Sequence, residues 1–129
     1  MRQGIIGLLF VMLIITGCQK QIVPETIEDK LADKAWYLER KSGGQANFIY
    51  TGQPTFSFRL TKNVKSYIDT DGITGTYMIE EQSNFTTLQV NTNGRQIEAY
   101  AIKQVEKNYV VLEYNRYNIV YTLYFSTRL

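Results

Sequence analysis

The chain has no histidine and one cysteine, Cys18, among its 129 residues. Without histidine the commonest general base and metal ligand is missing, and one cysteine cannot form an intrachain disulfide. The Ser–His and Cys–His nucleophile–base pairs of common hydrolases are therefore excluded. A Ser or Thr paired with Lys finds no supporting context, so neither an enzyme activity nor a cofactor is expected. Proline is scarce, at Pro24 and Pro54. Charge is close to balance, with 14 Lys and Arg against 12 Asp and Glu for a net +2. No basic stripe is present, which gives no reason to expect nucleic acid as a partner. What the chain does have is aromatic side chains, ten Tyr beside six Phe, a composition that favours β-structure.

One long apolar run stands at the start. Met1, Arg2 and Gln3 make a short positive opening, residues 5 to 15 are apolar except for Gly7, and the small Thr16 and Gly17 precede Cys18. That order describes a secretory signal peptide, and the run is short of the roughly 20 apolar residues of a membrane span. A buried thiol in an N-terminal helix is the alternative, but a core helix is rarely apolar on every face. The ending "LIITGC" resembles the lipobox of bacterial lipoproteins. That resemblance implies a signal peptide over 1–17, acylation of Cys18 as the mature N-terminus and a lipidated tether over 18–30. A diacylglycerol with an amide-linked chain holds more firmly than the marginal single acyl chain. The expected partner is thus the membrane, reached by an anchor and not by a span. Cleavage leaves 112 residues with no free thiol, enough for one domain over 31–129.

After Pro24, "TIEDKLADK" predicts one or two helical turns capped by Thr26, with Ile27 and Leu31 on one face. Strands follow. Residues 36 to 40 open the series before a break at "SGG", residues 48 to 51 form a short one, and "TFSFRL" alternates Phe56, Phe58 and Leu60 against Thr55, Ser57 and Arg59. Residues 64 to 70 lead into Asp71-Gly72 and "ITGTYMIE" alternates again. "FTTLQV" ends near Asn93-Gly94, and strands are expected over 96–105, 109–114 and 119–125, the last two joined by "NRYN". Asp-Gly and Asn-Gly are strong hairpin signals. Eight or nine short strands with tight connections predict an all-β fold, an antiparallel up-and-down barrel whose closure removes its edges.

"LADKAWYLERKS", "TDGITGTYMIEE", "AYAIKQVEKNYVVLEY" and "YTLYFSTRL" together resemble the lipocalin-like domains of Bacteroidetes-type lipoproteins. The likeness covers roughly residues 31 to 129 and rests on structural motifs. It implies a small barrel of about 8 strands with a short N-terminal helical turn. It also implies a plug at one barrel end in which Arg128 lies over the Trp36 ring. The chain departs from the wider lipocalin pattern at Lys34, where glycine is usual two residues before the tryptophan. In such lipoproteins, early acidic residues favour export to the cell surface. Here Gln19, Lys20, Gln21 and Ile22 follow the cysteine, which implies an outer-membrane protein facing the periplasm.

Three polar motifs resemble functional ones without completing them. Glu80 and Glu81 are adjacent and point to opposite faces of a strand, which makes them a poor acid–base pair. "DTDG" at 69–72 begins like a calcium loop but lacks the later ligands, and a hairpin turn accounts for it. "NFT" at 84–86 matches a glycosylation sequon only formally. The barrel lining remains, with Phe56, Phe58, Tyr77, Tyr100, Tyr114 and Tyr121 as candidate ligand-binding residues. Either these side chains fill the core, or they line a pocket for a small apolar or amphipathic ligand. If the tyrosines face outward they offer an aromatic surface instead. The expected function is a lipid-anchored, non-catalytic envelope binding module. The alternative is a filled barrel serving as a peripheral subunit of a secretion or transport machine, with an envelope protein as partner.

Overall fold

The structure, a computed structural model, describes residues 24–50, 56–93 and 95–128, without the side chains of 95–97. The segment expected to be a signal peptide, Cys18 and the first part of the expected tether lie outside the described residues, as do Thr55 and Gly94.

Thr26 starts the single described helix, α1 (Ile27–Leu31). The Asp29 amide donates to Thr26 Oγ1 at 3.1 Å and the Thr26 amide to Asp29 Oδ2 at 3.2 Å, a reciprocal cap that satisfies two end donors. Leu31 is fully buried and Ile27 packs against the core, the face that their spacing predicts.

Nine strands follow: β1 (Ala35–Gly43), β2 (Ala46–Ile49), β3 (Ser57–Thr61), β4 (Ser66–Asp69), β5 (Thr74–Glu81), β6 (Thr86–Thr92), β7 (Arg95–Val105), β8 (Tyr109–Arg116) and β9 (Ile119–Ser126). All pairings are antiparallel. β1 joins β3, each later strand joins the next, and β1 pairs back with β9, so eight strands close an up-and-down barrel. β2 is the extra strand. It folds back on the upper half of β1 through Arg40↔Ile49 to Gly43↔Ala46, while β3 takes the lower half. The α1–β1, β3–β4, β5–β6 and β7–β8 connections share one end of the barrel with the helix. The β1–β2, β4–β5, β6–β7 and β8–β9 turns share the other, called here the distal rim.

Alternation selects the core. Trp36, Leu38, Phe58, Leu60, Tyr67, Tyr77, Leu88, Val90, Val110, Leu112, Leu123 and Phe125 point inward and are buried. Three bulges interrupt the ladder, at Leu38/Arg40, Val90/Asn91 and Ile102/Gln104. The first adds Glu39 and turns the rest of β1 over, so that Lys41 and Gly43 face inward. The expected break at residues 42 to 44 falls at its last residue: β1 ends at Gly43, and Gly44, at φ +58°, begins the turn into β2. β4 begins at Ser66 and not at 64, because Lys65 sits at φ +51° and Val64 is exposed. The β8–β9 turn places Tyr117 and Asn118 at φ +53° and +62°, the positive pair that a two-residue hairpin requires.

The helix cap has a pH signature. Asp29 is pulled down to about 2 from its ordinary 3.8, first by a hydrogen bond from Lys62, then by its bonds with Thr26. A carboxylate whose folded value lies below its unfolded value stabilises above the unfolded value, and that contribution is lost as pH falls through the folded one. The urea midpoint should therefore decline between pH 4 and pH 2. Asp29→Asn should flatten that part of the profile while lowering the midpoint at neutral pH.

Candidate functional site

The candidate lining residues separate into three groups. At the waist, Phe56 and Phe58 meet Phe125, with ring centroids 6.2 and 5.0 Å apart, and Phe58 stacks on Tyr67 at 6.0 Å. These rings, with Leu88, Tyr100 and Leu112, surround a void of about 10 Å³. That is about the space of a single water. The waist is filled.

Towards the distal rim the tyrosines, partly buried, pack on one another. Tyr114 stacks on Tyr121 at 5.1 Å and meets Tyr100 edge-on at 5.8 Å. Lys41, turned inward by the Glu39 bulge, places its Nζ 4.9 Å from the Tyr121 centroid and 5.7 Å from that of Tyr114. The Arg116 guanidinium lies 5.4 Å from the Tyr114 ring and pairs with Glu98 at 2.6 Å. Cation and ring faces thus satisfy each other. Burial, followed by the charge of Glu98, pushes the Tyr100 phenol up, so it stays neutral at physiological pH.

Tyr77 stands apart, at the helix end. Its hydroxyl donates to Glu28 Oε2 at 2.9 Å, and burial and that bond push its phenol up. Sequence alternation placed Tyr77 inside correctly but could not tell which end it occupies. Tyr67, absent from the predicted set, is buried in the same way, its hydroxyl donating to Asp69 at 2.6 Å. Asp69 also accepts the amides of Asp71 at 2.9 Å and Ile73 at 3.1 Å, so "DTDG" is organised as a turn.

The plug is corrected in one half. Trp36 is fully buried at the helix end, and its Nε1 donates to the Leu31 carbonyl at 2.8 Å. Arg128 does not cover it. Its guanidinium lies 4.8 Å from the Tyr37 ring and its Nε donates to Glu39 at 3.0 Å. The physical reason is the strand's alternation: Trp36 points in, its neighbour Tyr37 points out, and the terminal arginine follows the outer face. The cation beside Trp36 is Lys34, with Nζ 5.5 Å from the ring and donating to the Lys107 carbonyl at 3.0 Å. The residue that departs from the lipocalin pattern thus supplies the cation.

A further concavity lies at the helix end, away from the waist. An open groove of about 670 Å³ runs between α1 and the lower part of β5, lined by Glu25, Thr26, Ile27, Glu28, Lys65, Tyr77, Met78, Ile79 and Glu81. Its size falls within the roughly 300–1,000 Å³ of ligand sites. Lys65 bridges the lining, paired with Glu28 at 2.5 Å and 5.9 Å from the Tyr77 ring. Burial works to raise the Glu28 carboxyl, but the bonds from Lys65 and Tyr77 and the charge of Lys65 outweigh it and hold the group low. Glu80 and Glu81 do diverge: Glu80 accepts from Gln89 Nε2 at 3.1 Å, whereas Glu81 lines the groove. Nothing in the sequence pattern locates this groove, because it depends on where α1 lies against a strand some 50 residues later.

No family model, curated protein or solved structure matches this chain.

Proposed function

We propose that the chain is a non-catalytic interaction module of the bacterial envelope, a lipocalin-like lipoprotein held to the outer membrane by acylated Cys18 and facing the periplasm. On this reading the barrel is a solid body that presents its surface to an envelope protein. The observation that carries it is the void of about 10 Å³ at the waist, too small for any organic ligand. A carried ligand would have to displace Phe56, Phe58, Tyr67 and Phe125, and each buried ring contributes on the order of 2 kcal/mol.

The distal rim supports the choice of a protein partner. Phe48, Ile49, Ile73, Tyr117, Ile119 and Val120 are exposed there, with Ile119 beside Gly44 of the β1–β2 turn. Val64, Phe85 and Tyr109 are exposed at the helix end, but the rim carries the larger group, and grouped apolar exposure suits a contact surface.

Two measurements test this. A photo-crosslinking amino acid at position 48 or 120 should yield one discrete adduct with an envelope protein, and the same probe at the exposed Lys103 on the barrel wall should not. Equal labelling at both places would contradict the rim. A fatty acid carrying an alkyne should label the wild-type chain, and Cys18→Ser should abolish the label. Retained labelling would remove the anchor.

A further inference from the structure

β4 is too short for its neighbour. It pairs with β5 only through Ser66↔Thr76, Tyr67↔Gly75 and Ile68↔Thr74. One more bond, from the Tyr77 amide to the Lys65 carbonyl at 3.1 Å, ends the cover on that side. Backbone groups of a strand alternate between its two edges. The next groups on the Tyr77 side therefore belong to Ile79 and Glu81, and no strand pairs with them among the described residues. The groove lies along this uncovered edge.

The side chains around the edge define what would fit. Ile27, Met78 and Ile79 give an apolar floor, and Met78 is half exposed. A methionine suits an adaptable contact. Glu25, Glu28 and Glu81 stand around that floor against the single cation Lys65. Lys65 is committed to Glu28. Glu25 and Glu81 are exposed and have no ion-pair partner among the described residues.

We propose that this groove binds an extended basic segment of a partner protein, added as a strand along Met78–Glu81 of β5. Main-chain bonds to Ile79 and Glu81 would hold the segment. Its side chains would alternate: apolar ones on one face would lie beside Met78, and lysines or arginines on the other, the face that Ile79 and Glu81 share, would meet Glu81 and the neighbouring Glu25. This is strand addition to an open sheet edge, in which backbone bonds give affinity and alternate side chains give specificity. The site is at the opposite end from the distal rim and does not depend on it.

The test uses the full chain in a neutral detergent with fluorescein-labelled seven-residue peptides, followed by anisotropy. A peptide of alternating lysine and valine should bind about tenfold more tightly than one of alternating glutamate and valine, and weaken as salt rises. Methylating the amides along one edge of the lysine peptide should cost about tenfold, which separates strand addition from charge alone. Glu25→Lys combined with Glu81→Lys should cost about tenfold while leaving the thermal midpoint in place, since both residues are exposed. Phe48→Ser with Val120→Ser should change nothing, so failure of the rim reading is distinguishable. Equal affinity for the two peptides would overturn the proposal, as would full binding by the methylated one. Vesicle binding through phosphatidylethanolamine that the double lysine variant loses, without peptide binding, would assign the groove to a lipid headgroup and overturn it too. Self-association lost in the same variant, again without peptide binding, would assign it to a second copy.

Discussion

Trp36→Ala should lower the free energy of unfolding by about 4 kcal/mol, the largest stability loss expected for one substitution in this chain. Trp36 is fully buried where α1 closes the barrel, and its indole reaches the Leu31 carbonyl at 2.8 Å. Truncation removes the largest side chain of the core and strands a carbonyl at the end of a five-residue helix. A helix that short has no stability of its own, so it holds its place through tertiary contacts: Leu31 and Ile27 in the core, the bonds of Glu28 and Asp29 to Lys65, Tyr77 and Lys62, and this indole contact. Trp36→Phe keeps most of the ring and gives up the bond, and should cost about 1–2 kcal/mol. Urea unfolding followed by circular dichroism measures both, because Trp36 is the only tryptophan and fluorescence vanishes with it. A Trp36→Ala loss under about 1 kcal/mol would mean that the helix end is not closed by the indole.

Gly75→Ala should cost about 3 kcal/mol through overpacking. A methyl group there would stand 2.0 Å from the backbone oxygen of Asn91 and 2.8 Å from Thr92 Oγ1. Asn91 lies where β7 carries the extra residue of a bulge, between Glu98 and Gln96, and its carbonyl lies against β5 at the position that has no side chain. A backbone oxygen cannot rotate away as a side chain can, so relief requires the bulge to move. Gly72→Ala is the comparison. Nothing lies within 4 Å of its Cβ, and only its φ of +86° opposes the change, for about 1 kcal/mol. Similar losses at the two glycines would argue that Asn91 yields easily.

These two sites show what the sequence made legible and what it did not. Alternation in "TFSFRL" and "ITGTYMIE" placed Phe58, Leu60, Tyr77 and Ile79 on the inner face, and Asp71-Gly72 marked a real turn, because both signals are local. Thr26 and Asp29 declared the helix cap for the same reason. The bulges are different. A single extra residue at Glu39 reverses the faces of everything after it, and no composition at that point announces it. Lys41 therefore enters the barrel. Arg128 meets Tyr37 for a different reason, because Tyr37 alternates with the inward Trp36 and lies on the outer face, where a lipocalin-based expectation set Arg128 over Trp36. Whether the lining is full or hollow is a matter of summed side-chain volume against barrel radius, which a list of inward residues does not contain. The groove beside β5 was hidden for a related reason: it exists because β4 stops early and α1 arrives from far away in the chain.

Whether the barrel is a solid body or a ligand carrier is decided most directly by native mass spectrometry of the full chain purified in mild detergent from its own host. The filled waist predicts the mass of the protein with any covalent modification and no further stoichiometric adduct. A small molecule bound one to one and released on unfolding would contradict it.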